Sequence, residues 1–488
     1  MLTNQTIEIL KSLSKTELKR FGEFLKSPYF NASRTLDKIY NLVVKSYPDF
    51  KEDSLSFERV YKRLYPSEAY SEKRIKNLYS EFSNLLKKFI GYEEISRNKQ
   101  ELDIYITFGL TERNLNKISE KVIAKSLNEH DDGLLSIADR FHYLYRLNVH
   151  HAHNLGFMRL HGSPEYLKCD IELIEKLIIF FLTNILQLSF YDVMNHKMYK
   201  MNENPILKVV ASSIDTEKII DYFKSINHEY TPYLKMHYLF NYYQTHEIDD
   251  EKYLEFKNEM LSILHKVKKL DQNQYLIRMI HLVLSNMIQR NKNYYEDVIQ
   301  YAELMTSLNI YPDDNLHAFN IGTFKDIFTS AITLQKYDWA ENFLNEYVKY
   351  LAKDQQFDSE NYARGILSFK LEKFEESLDY LSKVKMIDII EKINVRFHYM
   401  MNYIELGWYE SALSALQSIR QFYNDSNEMP ELLLHPVQVS IKFFAEVIRC
   451  AEKNEKPDEW IYKEALEEKR FMHKQYILTK MAKLNKKT

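Results

Sequence analysis

Apolar side chains recur along this chain every three or four residues, which is the period of one face of an α-helix. In the first such segment, Leu18, Phe21 and Leu25 follow this spacing. Just before them, Ser14-Lys15-Thr16-Glu17 has the pattern of a capping box, in which a serine and a glutamate satisfy free amides at a helix start. Further segments with the same period follow, so the pattern predicts a small N-terminal helical module over residues 1–95.

A second pattern recurs in the last third of the chain, where each copy has an aromatic residue, a small residue three positions later and a leucine seven positions later. The copies are Tyr337-Ala340-Leu344, Phe374-Ser377-Leu381 and Tyr409-Ala412-Leu416. The steps between them are 37 and 35 residues, a period typical of stacked helix pairs, in which no pair buries its apolar face alone. The small residues predict positions where two helices cross closely.

Composition favours the same class, because only 9 glycines and 10 prolines occur in 488 residues. Average usage is about 7% and 5%, so the chain has few turns and is predicted to be all-α. It contains no phosphate-binding glycine-rich loop, no His-Glu-x-x-His, no Gly-x-Ser-x-Gly and no Cys-x-x-Cys motif. We therefore expect a protein that is not an enzyme and that needs no cofactor.

Cysteine usage and hydropathy predict a cytoplasmic protein. The two cysteines, Cys169 and Cys450, lie far apart without metal-ligand spacing, so neither a disulfide framework nor a zinc site is expected. The first residues lack the features of a signal peptide. The most apolar segment, 177–191, is interrupted by Asn184 and Gln187 and is shorter than the roughly 20 residues of a membrane span. It is predicted to be a buried helix.

Two stretches resemble known families. The run from Leu18 ends in Ser27-Pro28-Tyr29-Phe30-Asn31 and resembles the start of a family of uncharacterised bacterial proteins, a likeness that implies no activity. The region 320–423 resembles tetratricopeptide repeats, with Gly365, Phe374 and Ser377 at matching positions of one repeat. This second resemblance implies a right-handed α-solenoid of antiparallel helix pairs. Irregular helical hairpins are then expected over 96–290, and repeats with a C-terminal capping helix over 291–488.

The tetratricopeptide resemblance also implies a function, because a solenoid presents an extended concave surface to a protein or peptide partner. We therefore predict a non-catalytic binding scaffold whose partner and oligomeric state the sequence leaves open. In the resemblance the groove is lined by the first helix of each pair, at Tyr362, Ile366, Phe369, Phe397, His398 and Met401. Packing between repeats is the alternative role for the same six residues.

Charge is distributed unevenly, which leaves a second function open. Residues 1–90 carry a net charge of +6, residues 469–488 carry +7, and the rest carries −16. A basic set on the fourth helical segment favours a helix-turn-helix interpretation and a nucleic-acid-associated regulator: Lys73, Arg74, Lys76, Lys87 and Lys88. The connector 65–70 is longer than the turn of that motif, so this function ranks second.

Two smaller features have alternative interpretations. The basic tail 469–487 carries apolar residues at helical spacing, which favours a capping helix over a surface for acidic partners or anionic lipids. His150 and His153 would share one face of a helix, as two zinc ligands do. No third ligand follows at helical spacing, so a solvated helix end is favoured over a metal site.

Overall fold

The computed structural model describes residues 4–50, 55–128, 136–199, 201–290, 294–310, 319–385, 389–425, 429 and 431–486. Within these ranges all regular secondary structure is helical. The predicted all-α class is therefore confirmed for the part of the chain that the structure describes.

Twenty-four α-helices follow one another in the described residues. The first twelve are α1 (Asn4–Ser12), α2 (Lys15–Lys26), α3 (Arg34–Val44), α4 (Phe57–Leu64), α5 (Glu72–Arg97), α6 (Lys99–Glu112), α7 (Asn116–Asn128), α8 (Ile137–Phe157), α9 (Pro164–Tyr199), α10 (Pro205–Ser213), α11 (Thr216–Ser225) and α12 (Thr231–Thr245). The others are α13 (Asp250–Leu264), α14 (Lys269–Arg290), α15 (Tyr295–Ser307), α16 (Ile321–Thr333), α17 (Tyr337–Tyr347), α18 (Lys353–Lys370), α19 (Phe374–Ser382), α20 (Ile389–Glu405), α21 (Tyr409–Asp425), α22 (Glu431–Lys453), α23 (Glu459–Glu467) and α24 (Lys474–Asn485).

The chain divides into two compact units. The first comprises residues 1–130 and 143–173, and the second comprises 131–142 and 174–488. The first unit has one hydrophobic core formed by residues from Ile7 to Phe89 and a smaller one around Ile104. The second unit has a large core formed between residues 137 and 395, and another that extends from Phe369 to Met481.

The predicted capping box at the start of α2 is confirmed. The Ser14 amide donates to Glu17 Oε2 at 2.9 Å, and the Glu17 amide donates to Ser14 Oγ at 3.2 Å. The Arg97 guanidinium also reaches the Glu17 carboxylate, at 2.8 Å. The Ser14 amide, together with Arg97, lowers the pKa of Glu17 to about 2. The same local pattern that starts the helix therefore keeps this carboxylate ionised.

The Ser-Pro-Tyr-Phe-Asn element ends α2 and turns the chain toward α3. Asn31 is buried and its Nδ2 donates to the carbonyl oxygens of Leu25 at 2.8 Å and Ser33 at 3.0 Å. Its Oδ1 accepts from the Ser33 amide at 2.8 Å. Phe30 stacks on Phe24 with ring centroids 4.1 Å apart. The last two residues of the element therefore hold the turn in place.

The repeated motif of the last third occupies equivalent helical positions, as the spacing predicts. The three aromatic residues are the first residues of α17, α19 and α21. The three small residues are each fully buried, and the three leucines are at most 1% exposed. Within each copy the two helices pack together, and α16, α18 and α20 also contact one another in sequence. All three small residues are therefore buried between packed helices, and at Ser377 the predicted close crossing is confirmed by its 2.7 Å hydrogen bond to the Gly365 carbonyl oxygen.

The large core of the second unit contains a fully buried arginine. Arg278 is 0% exposed, and its Nη1 donates to His237 Nδ1 at 3.0 Å. Its guanidinium carbon also lies 5.2–5.7 Å from the rings of Phe190, Tyr191 and Phe240. Burial, together with the charge of Arg278, lowers the pKa of His237 well below its usual value. His237 is therefore neutral and accepts the hydrogen bond.

Candidate functional site

The six residues predicted to line a concave groove all lie in the hydrophobic cores of the second unit. Each is at most 8% exposed: Tyr362, Ile366, Phe369, Phe397, His398 and Met401. Phe369 and His398 pack against each other with ring centroids 5.9 Å apart. In this conformation the six side chains pack between helices and are not open to a partner.

The opposite, partly exposed side of α20 borders a surface cavity. Arg396, Tyr399 and Tyr403 lie there, and α21 contributes the small side chains of the lining: Ser411, Ser414, Ala415 and Ser418. The cavity has a volume of about 360 Å³. The Arg396 guanidinium lies 4.6 Å from the Phe422 ring. The first helix of this pair therefore borders an open surface, through different residues from those predicted.

The longest helix, α9, has one buried and one exposed apolar face in the second unit. Ile179, Leu182, Leu186 and Phe190 are buried in the large core. The other face carries five exposed apolar side chains, which we name the α9 stripe: Ile174, Leu177, Ile178, Phe181 and Leu188. They are 38–54% exposed. The sequence predicts a buried helix here, and that expectation holds for one face only.

The spacing within the α9 stripe is that of a coiled-coil seam. Ile174, Ile178, Phe181 and Leu188, with the partly exposed Ile185 between the last two, alternate in steps of four and three residues. These are the a and d positions of a heptad, which place knobs in the holes of a facing helix. In the sequence the same steps continue backward from Ile174 through residues 171 and 167. The stripe is therefore continuous along the helix axis.

By length and composition, one helix of the described residues qualifies as a candidate membrane span, and it is α9, within Pro164–His196. In its most apolar window 28% of the residues are buried. Core helices of globular proteins meet the same criterion, so the criterion by itself does not decide what contacts the stripe.

Polar contacts fix the orientation of α9 in the second unit. The Glu175 carboxylate lies 3.0 Å from His228 Nε2 and 2.7 Å from Lys176 Nζ. One residue before the end of the stripe, Gln187 donates to Gln274 Oε1 at 3.2 Å. These contacts and the buried face hold the helix, and they leave the stripe directed outward.

The basic residues of α5 are partly engaged with acidic neighbours. Arg74 lies 2.5 Å from the Glu68 carboxylate and stacks on Tyr65 at 3.7 Å. Lys76 lies 2.6 Å from Glu72. The connector between Leu64 and Glu72 is also longer than the turn of a helix-turn-helix motif. These contacts reduce the positive field that this helix presents to a nucleic acid.

The apolar residues of the basic tail are buried in the second core of the second unit. Ile477 and Met481 on α24 are 0% exposed, and α24 packs against α22. Lys480 lies 2.6 Å from the Glu405 carboxylate. Residues 487 and 488, at the end of the tail, lie outside the described residues. The described part of the tail therefore packs as a core helix.

The histidine-rich end of α8, in the first unit, contains an ion pair that involves neither of the two predicted zinc-ligand candidates. His150 packs on Phe108 with ring centroids 5.9 Å apart, and His153 is exposed. His151, between them, has its Nε2 2.8 Å from Glu120 Oε1. Burial alone would lower the pKa of His151, but the Cys169 thiol and Glu120 raise it to about 10. The sequence gives no signal for this pair, because Glu120 lies on another helix.

Comparisons of the chain with models of protein families, with curated proteins and with solved structures gave no match. The two resemblances that the sequence suggests therefore remain predictions.

Proposed function

We propose that this protein is a non-catalytic scaffold that binds a partner protein through a helix of that partner. The observation that carries the proposal is the exposed α9 stripe, five large apolar side chains of which four follow heptad spacing. Contiguous exposed apolar patches are rare on monomeric soluble proteins and mark sites of interaction. An amphipathic helix from a partner would bury the stripe by coiled-coil packing.

A protein partner fits the surroundings of the stripe better than a membrane does. The helix carries Glu172, Glu175 and Lys176 one turn or less from stripe residues, and charged side chains are costly within a bilayer. Its opposite face packs into a core that also contains the charged Arg278 and the polar His237. A facing helix would cover the apolar stripe and leave the flanking charges in water.

The architecture that we propose for the second unit is a right-handed α-solenoid of antiparallel helix pairs. Supporting it are the 37- and 35-residue steps of the repeated motif and the contacts between consecutive helices from α16 to α22. The proposal keeps the predicted organisation, with a helical module over 1–95, irregular hairpins over 96–290 and repeats over 291–488. A solenoid provides the rigid frame on which a binding helix is displayed.

A photo-crosslinker tests the proposal at the surface itself. We expect benzoylphenylalanine in place of Phe181, in the full chain expressed in its native host, to give one discrete protein adduct on irradiation. Benzoylphenylalanine replaces one exposed aromatic side chain with another, so the fold is preserved. Adding Ile178→Glu is expected to reduce the adduct about tenfold or more, since it places a charge in an apolar interface. Mass spectrometry identifies the adduct.

Asp221, an exposed residue on α11 of the same unit, provides the matched control. The same crosslinker there is expected to give no adduct at the mass seen from position 181. An adduct of twice the chain's own mass identifies the partner as a second copy of this chain. Adducts with lipid alone, or no protein adduct at position 181, would overturn the proposal.

The alternative function is a nucleic-acid-associated regulator whose basic N-terminal module contacts phosphates. Phosphate contacts release counterions, so binding to generic duplex DNA would weaken steeply between low and moderate salt. We expect the full chain to show no submicromolar binding at either salt concentration, because Arg74 and Lys76 are paired with carboxylates. Tight, salt-sensitive binding measured by fluorescence anisotropy would place this function first.

A further inference from the structure

In the first unit, two helices and the first residues of a third bring potential metal ligands together. The side chains are Glu120 on α7, His151 on α8 and Glu165 at the start of α9. One ligand atom from each lies within 4.8 Å of the other two. Among the residues that the structure describes, no other group of three such side chains is as close. Their sequence separation means that only the packing of the three helices places them side by side.

His151 and Glu120 form a short ion pair whose N–H is poorly aligned with the carboxylate. Nε2 lies 2.8 Å from Glu120 Oε1, but the geometry is not that of a normal hydrogen bond. Two potential metal-ligand atoms that lie close together without an aligned hydrogen bond between them are arranged like neighbouring ligands of one cation.

A buried asparagine beside this pair supplies a second, independent observation. Asn154 is 0% exposed, and its Nδ2 donates to Glu120 Oε2 at 2.8 Å and to the Asn116 carbonyl oxygen at 3.0 Å. Its Oδ1 is buried without a partner. An unpaired buried oxygen is destabilising. A cation held by Glu120, with a water bound to it, would give this oxygen a partner at the site.

We propose that Glu120, His151 and Glu165 bind a zinc ion. Imidazole together with carboxylates suits zinc, whereas magnesium and calcium favour oxygen ligands alone. Zinc bonds these nitrogen and oxygen atoms at about 2.0–2.2 Å, which places tetrahedral ligands roughly 3.4 Å apart. Small rotations of the three side chains would bring their ligand atoms to that separation. Asn154 orients Glu120 from outside the ligand shell, and water completes the fourth position.

The metal would join α7, α8 and the start of α9, so its effect is measurable apart from any partner binding. We expect the purified full chain, stripped with a chelator, to bind one equivalent of Zn²⁺ in competition with a chromophoric chelator. Zinc is also expected to raise the melting temperature, because it binds only the folded site. Glu165→Gln and His151→Gln are each expected to weaken zinc binding about tenfold or more.

Two nearby substitutions serve as controls. His153→Gln changes an exposed histidine on the same helix, and Glu172→Gln changes an acid on α9 two turns from Glu165. Both are expected to bind zinc as the unchanged chain does. Glu165 is exposed, so its substitution tests the site without emptying a core. Failure of the unchanged chain to bind one equivalent would overturn the proposal, as would undiminished binding by both site variants.

Discussion

The free energy of unfolding is expected to fall by several kcal/mol as the pH is lowered from 7 to 5. Four histidines of the second unit are neutral, two of them buried and two half-buried. Burial lowers the pKa of His237 and His398 well below the usual value, that of His281 to about 4 and that of His473 to about 3. Positive neighbours add to the shifts, Arg278 at His237 and Lys370 at His398 and His473.

The sign follows from which state binds the proton first. An unfolded histidine has a pKa of about 6.5, so below that pH the unfolded chain takes up protons that the folded chain refuses. The stabilisation is therefore complete above pH 6.5 and is lost as the pH falls toward the folded pKa. At pH 5 each histidine contributes a loss of about 2 kcal/mol. Proteins typically have a free energy of unfolding of about 5–15 kcal/mol. The loss summed over the four histidines is therefore a large fraction of the total stability.

Two other titrating groups act in the opposite sense and reduce the loss. Burial raises the pKa of Asp326 to about 7, so the folded chain protonates this carboxyl first and, after screening by solvent, regains at most about 2 kcal/mol between pH 7 and 5. His151, whose pKa is raised to about 10, acts in the opposite sense, but between pH 7 and 5 it adds only about 1 kcal/mol. The pKa of both Glu17 and Glu446 is lowered to about 2. Their contribution is lost only below the ordinary glutamate pKa, near 4.5. The net loss between pH 7 and 5 therefore remains several kcal/mol and comes from the four neutral histidines.

Urea unfolding at pH 7 and pH 5 measures this loss. His398→Phe is expected to reduce the difference between the two pH values by about 2 kcal/mol, because it removes one buried titrating ring among Phe369 and His473. His153→Gln, at an exposed site, is expected to leave the difference unchanged. Equal free energies of unfolding at the two pH values would contradict the prediction, because the histidine rings would then accept protons in the folded chain.

Ser377→Leu is expected to destabilise the protein by about 4 kcal/mol, since it combines overpacking with lost hydrogen bonds. Ser377 is 0% exposed, and its Oγ donates to the Gly365 carbonyl oxygen at 2.7 Å. The same oxygen accepts from Asn402 Nδ2 at 3.0 Å. A Cβ atom at Gly365 would lie 2.8 Å from Leu381 Cγ. Helices α18 and α19 therefore cross at Ser377 without room for a larger side chain.

Two further variants separate volume from hydrogen bonding. Ser377→Ala keeps the crossing and is expected to cost about 1–2 kcal/mol for the lost hydrogen bonds. Ser382→Leu, on the exposed side of the same helix, is expected to change stability by less than about 0.5 kcal/mol. Denaturant unfolding compares the three. A Ser377→Leu variant as stable as Ser382→Leu would contradict the tight crossing.

Several features of the fold follow from short stretches of sequence because their causes are local. The helix start at Ser14 depends on two side chains three residues apart, and both bonds form as predicted. The low glycine content favours helices throughout, and the described residues contain no strand. The buried positions of Ala340, Ser377 and Ala412 follow from spacing, because a small residue at a fixed step within a repeat marks a helix crossing.

The candidate sites depend on the tertiary structure. Helical periodicity shows which residues share a face, but not whether another helix covers that face. The resemblance places Phe369 and Met401 in a groove, but both are buried, whereas Ile178 and Phe181, within the segment predicted to be a buried helix, are exposed. The proposed zinc ligands come from three helices and are far apart in the sequence, so no linear motif predicts them. Local spacing determines helices, and only the packing of distant helices determines which side chains meet and which remain open to a partner.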